Sequence, residues 1–216
     1  MTDYSQITPK QAIALQKQLA QRVCLDDHFG KITTVAGVDV GFENKNTIAR
    51  AAVAVLSFPD LSLIESRIAR LAVHFPYIPG LLAFREVPVV LEALQQLQLT
   101  PDILLCDGQG IAHPRRLGIA SHLGLLTNLP SIGVAKSRLI GEFDMPGEEK
   151  GDWQPLRIKG EQVGVVLRSR AHVKPLYISP GHKVSIASSM HIVMQCLTKY
   201  RFPETTRYAH KLASNV

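Results

Sequence analysis

Three acids stand out by their positions in the chain. Asp39 lies in VAGVDVGF, a segment whose apolar alternation otherwise calls for a neutral side chain, so a carboxylate there needs a reason. Asp107 closes the apolar run ILLC and opens DGQG, which places its carboxylate at the carboxyl edge of a strand beside glycines that admit another backbone. Glu86 sits in FREVP, where Pro88 marks the first turn of a helix and the acid can point back to the sheet edge. Taken singly, each has an ordinary alternative: a solvent-facing Asp, an Asp-Gly turn, an acid drawn to a helix N-terminus. Together on one sheet they would repel strongly without a cation. Mg²⁺ fits such a group, because it takes oxygen ligands, keeps several waters and is held by one or two carboxylates plus substrate phosphate. Phosphodiester hydrolysis uses a metal in this way, on both the attacking and the leaving oxygen.

Four further features could serve the same chemistry. In PYIPG, Pro76 and Pro79 stiffen the backbone around Tyr77 and Ile78, making a rigid tip of the kind pushed between stacked bases, or simply a turn whose Tyr77 packs on the core. The run HPRRLG offers His113, Arg115 and Arg116 for phosphate contact, or else a solvated helix start. Lys136 follows SIGVA and could neutralise phosphate, or guard an edge strand. His210 in TRYAHKLA could orient or deprotonate water, although pattern alone favours a partly buried histidine. No HExxH and no GxxxxGK[ST] is present, which removes support for a zinc protease or a Walker-type NTPase. GVDVG with DGQG superficially resembles the phosphate loops of sugar-kinase or actin-like ATPases, but that architecture needs a longer chain with two such domains.

These residues must be positioned by a sheet. Thr8, Pro9 and Gln11 read as N-cap, first helical position and capping-box partner of a helix carrying Ile13, Leu15, Leu19 and Val23. ITTVAGVDVGF, TIARAAVAVLSF and LIESRIARLAVHF, joined by short polar turns, predict an antiparallel meander. A helix ending in VVLEALQQL, the strand DILLCD, a helix around HPRRLGIASHLGLL and the strand SIGVAK then alternate as a parallel βαβ half-sheet. VGVVLR and PLYIS read as strands, KVSIASSMHIVMQCLTKY as a long helix and PETTRYAHKLA as a short one; Gly141 to Pro155 reads as a surface loop. The expected class is α/β: a mixed sheet of three antiparallel strands followed by parallel strands, flanked by helices, with ligands gathering at strand carboxyl ends.

With 216 residues, 46% hydrophobic and 19% charged, the chain can bury one core and is read as a single domain, 1–216. No stretch approaches the ~20 apolar residues of a membrane span, and MTDYSQITPK lacks a basic and an apolar leader region. Cys24, Cys106 and Cys196 are odd in number and set in apolar surroundings, so they are expected as buried thiols in a reducing cytoplasm. A net charge of +6 and a pI near 9.3 favour a polyanionic partner.

In VAGVDVGF, PYIPGLLAFRE, PDILLCDGQGIAHPRRLGIASHLG, SIGVAKS, PGH and TRYAH the sequence closely resembles the endonuclease V family of inosine-directed nucleases, from about Ile32 to His210. The resemblance implies a ribonuclease H-like fold and an endodeoxyribonuclease that cuts one nucleotide 3′ of deoxyinosine, leaving 3′-hydroxyl and 5′-phosphate. It gives Asp39, Asp107 and Glu86 to a Mg²⁺ site, with Mn²⁺ as substitute, Glu86 directly or through water. It puts His210 near the attacking water, Lys136 in the active site and Tyr77 at the wedge, with Pro76, Ile78, Pro79 and His113 along the DNA. The extruded base would lie against backbone at Gly80, Leu82, Gly108, Gly118 and Ile119. His210 in place of an acid marks the bacterial type, whose substrate is DNA; other members prefer inosine in RNA. A monomer without an obligate protein partner is expected.

Overall fold

The computed structural model describes residues 4 and 6–214; the leader reading of the first ten residues falls partly outside them. The helix predicted at Thr8 forms as α1 (Pro9–Ala20), with the capping box between Thr8 and Gln11 in place. It ends before Val23, and its inward face carries Ala12, Gln16 and Leu19. The meander follows as β1 (Thr34–Glu43), β2 (Ile48–Ser57) and β3 (Leu63–Ala72), both pairings antiparallel.

Next come α2 (Ala83–Gln95), β4 (Ile103–Asp107), α3 (Ile119–Thr127) and β5 (Ser131–Ala135), with β4 parallel to both β1 and β5. Two boundaries differ from expectation. Pro88 is inside α2, whose first turn holds Glu86, because the helix starts five residues earlier at Ala83. HPRRLG precedes α3 as a turn, with Arg116 at φ +58, so it is not a helix start.

The remainder is β6 (Trp153–Ile158), β7 (Glu161–Leu167), β8 (Leu176–His182), α4 (Ile186–Gln195) and α5 (Glu204–Ala213). β6 cuts into the expected loop, its apolar signal weakened by Pro155 at the sheet edge, where a missing N–H costs no ladder bond. α4 is shorter than predicted, starting at the Ser185 cap and stopping at Cys196. The eight strands run β3-β2-β1-β4-β5-β8-β7-β6, the expected ribonuclease H-like mixed sheet extended by an antiparallel β8-β7-β6 ribbon.

Helices cover both faces. α1, α2 and α3 bury Val87, Val90, Ala120 and Leu123 against Val38, Val53 and Leu104; α4 and α5 close the opposite face over Val35, Leu105 and Ile132. Cys106 and Cys196 are buried thiols, whereas Cys24 is half-exposed, contrary to expectation, because it lies in the connection between α1 and β1. Among the described residues no helix is long and apolar enough to cross a membrane.

Candidate active site

β1 and β4 pair in parallel up to Val38 and Cys106, and Asp39 and Asp107 are the next residue on each strand. β4 ends at Asp107 while β1 runs on to Glu43, paired there only with β2, so the two acids sit where the ladder opens. Alternation turns Val38 and Cys106 into one core and sends Asp39 and Asp107 to the other face, towards α5.

That face is shaped for a close helix. On Gly37 an added Cβ would lie 1.9 Å from the Thr205 carbonyl oxygen, and on Gly41 2.7 Å from that of Ala213. The i, i+2, i+4 series Gly37, Asp39, Gly41 thus lets the α5 backbone lie against β1 with the acid between. His210, one turn before the end of α5, thereby brings Nδ1 to 2.7 Å from Asp39 Oδ2. The GVDVG spacing carried this signal, but its glycines were not read as room for a helix.

Lys136 leaves the end of β5, a strand inside the sheet and not at its edge, and its Nζ lies 2.6 Å from Asp107 Oδ2. Ligand atoms of Asp39, Asp107 and His210 lie within 4.8 Å of one another. Glu86 stands outside that trio, 9% exposed at the start of α2, and lines the same cleft as Asp107. Burial, then the charges of Asp39 and Asp107, push the Glu86 carboxyl up to about 8. Burial and the neighbouring Asp107 also hold Asp39 above its usual range, with His210 and Lys136 pulling the other way. Carboxyls crowded together in a partly buried site are a donor set that a hard divalent cation would relieve, so the residues fit the implied metal.

A cleft of about 370 Å³ opens beside the acids. Gly80, Leu82, Gly108, Gly118 and Ile119 all line it, with Tyr77, Ile78, Pro79, His113 and Lys136. Tyr77 is 68% exposed at its mouth, with Pro76 and Pro79 exposed on either side, so the ring does not pack into the core.

The basic residues of HPRRLG all have partners within the protein. Gly80, at φ +78, presents a carbonyl that accepts from Gln16 Nε2 at 3.0 Å, His113 Nε2 at 3.0 Å and Arg115 Nη2 at 2.6 Å. Arg115 Nε also donates to Gln16 Oε1 at 2.5 Å, and Arg116 pairs with Glu161. His113 Nδ1 accepts from the Arg115 amide, which fixes the proton on Nε2. Burial and then Arg115 push His113 down to about 4, so at neutral pH it is an uncharged strut, 4% exposed, beneath the Tyr77 segment. Gln16 was missed in the sequence because a buried glutamine on an amphipathic helix looks like a solvent-facing one.

A model of the Endonuclease V family matches residues 17–211. The Endonuclease V of Nostoc punctiforme is 60% identical over 208 residues, covering 96% of this chain and 94% of its own length. That of Rippkaea orientalis is 59% identical over 206 residues, covering 95% and 90%. The solved Endonuclease V of Streptomyces avermitilis superposes with a TM-score of 0.93 at 41% identity, over 100% of this chain and 95% of that one. Endonuclease V of Ciona intestinalis, solved with a 24mer DNA containing an inosine followed by a ribo-adenosine, gives 0.81 at 30% identity over 94% of each chain. Matched by the family model from α1 to α5, and sharing its fold with these structures, the chain belongs to the endonuclease V family.

Proposed function

We propose that this chain, acting over residues 1–216 as a single monomeric domain, nicks DNA one nucleotide 3′ of deoxyinosine and so starts the repair of deaminated adenine. The observation that carries the reading is that Asp107, whose carboxylate groups with Asp39 and His210, also lines, with Glu86, the cleft that has exposed Tyr77 at its mouth. Tyr77, stiffened by two prolines, fills the gap in the base stack. The extruded hypoxanthine enters the cleft and is read by backbone groups around Gly80, Gly108 and Gly118, which leave room for the ring. Asp39 and Asp107, with Glu86 beside them, would hold Mg²⁺ or Mn²⁺, and the ion would supply charge stabilisation to the attacking and leaving oxygens.

His210, its Nδ1 turned to Asp39, accepts a proton at Nε2 from the attacking water. Hydroxide adds to phosphorus and the bond to the 3′ oxygen breaks; that oxygen takes a proton from solvent to become the 3′-hydroxyl, and His210 returns the proton it accepted to solvent. Lys136 Nζ, 2.6 Å from Asp107 Oδ2 and lining the same cleft, is placed to contact the phosphate. The three free thiols suit a cytoplasmic enzyme.

Matched duplexes carrying deoxyinosine, ribo-inosine or no lesion, incubated with Mg²⁺ or EDTA, test this. Nicking one nucleotide 3′ of deoxyinosine, abolished by EDTA, is expected. Cutting that ignores the lesion or survives EDTA overturns the reading, and cutting confined to the ribo-inosine strand moves the substrate to RNA.

A further inference from the structure

A second group of ligand atoms, separate from the acids, lies between α1 and β1. Cys24 Sγ, an Asp26 carboxylate oxygen and a His28 ring nitrogen all lie within 4.8 Å of one another. The spacing is i, i+2, i+4 in a connecting segment that bends at Asp26. The segment is pinned to the end of β8: Cys24 N–H donates to His182 Nδ1 at 3.2 Å, Lys183 N–H to the Cys24 carbonyl at 2.7 Å, and His28 N–H to the Lys183 carbonyl at 3.1 Å.

The residue between the ligands is spoken for. Asp27 braces the start of α4, accepting from the N–H of its cap Ser185 at 2.7 Å and from Ser188 Oγ at 2.6 Å. Its carboxylate is thereby drawn to the helix, and Asp26 stays with Cys24 and His28. Neither acid serves the cleft or the Asp39 group.

We propose that Cys24, Asp26 and His28 form a peripheral site for a borderline divalent transition metal, Zn²⁺ by chemical class, with the fourth position open to solvent. Thiolate, imidazole and carboxylate together select such an ion over Mg²⁺, which takes oxygen ligands. Ligand atoms on one tetrahedral Zn²⁺ stand roughly 3.5 Å apart, so the trio needs to close by only about 1 Å, through side-chain rotation on a backbone already fixed. The ion would tie the segment leaving α1 more firmly to the β8–α4 corner, with the sheet and the acids untouched.

Co²⁺ added to the full chain is the probe, because thiolate coordination gives a near-ultraviolet charge-transfer band that an oxygen-and-nitrogen site cannot. The wild type should show the band at a single equivalent, Cys24→Ser should lose it, and Cys106→Ser should keep it. His28→Ala should weaken Zn²⁺ binding at least about tenfold, as loss of a ligand does. Zn²⁺ should raise the melting temperature of the wild type more than that of Cys24→Ser. A wild type without the band, or a Cys24→Ser protein that keeps it, overturns the proposal.

Discussion

Asp39 and Asp107 are carried by hydrogen-bonded central strands, whereas the segment from Pro76 to Leu82 hangs from side chains distant in sequence, Gln16, His113 and Arg115, that converge on one carbonyl of Gly80. The acids need a fixed separation to share a cation, and a paired ladder supplies it. The lesion side must part a base stack and admit a ring, so it is a loop held at its base with an exposed tip. The contrast teaches that cutting and recognition can be damaged separately, and four changes ordered by expected effect would break or sharpen it.

Asp107→Asn should lower nicking by about 10³-fold or more in single-turnover assays, on the scale seen when a member of a catalytic group is removed. Acid should act on the fold through two buried histidines, His113 beneath the Gly80 carbonyl and His122 in α3. His113 and His122 are both pushed down to about 4, chiefly by burial, so the folded state favours their neutral forms. At these two sites the unfolded chain therefore binds more protons between the ordinary value of 6.5 and about 4, so their contribution to stability falls as pH drops through that window, partly offset by Glu86, which is protonated first in the folded state. The loss should approach about 3 kcal/mol per histidine, read from urea midpoints between pH 7 and pH 4, and be smaller in His113→Gln.

Arg115→Ala leaves the Gly80 carbonyl and Gln16 short of a charged donor, which should cost about 2 kcal/mol of stability by urea melts. Its preference for deoxyinosine over undamaged duplex should shrink while residual Mg²⁺-dependent cutting remains. Tyr77→Ala, the mildest change, should weaken binding to inosine-containing duplex about tenfold and leave single-strand binding nearly intact, as loss of one stacking ring predicts. Equal losses on both substrates would remove the wedge from the account.

The same contrast explains what could be read in the chain beforehand. The meander, the parallel half-sheet and the position of Asp107 were legible because period-2 runs and glycine punctuation are local signals. β6 was hidden by Pro155, and the α2 start by Pro88, which sits inside the helix. Lys136 and His210 were recognisable as candidates, but their contacts with Asp107 and Asp39 depend on the β5 register and on the close approach of α5 at Gly37. The bonds of Arg115 and His113 to the Gly80 carbonyl could not be seen locally, since this shared acceptor is more than thirty residues away.

The separation of cutting from recognition is tested most directly by the equilibrium preference of Asp107→Asn for a deoxyinosine duplex over its undamaged match, measured by fluorescence anisotropy beside its nicking rate. The account predicts that this preference stays within about threefold of the wild type while nicking falls by about 10³-fold. Nicking at the wild-type rate, or a preference that disappears along with the cutting, would contradict it.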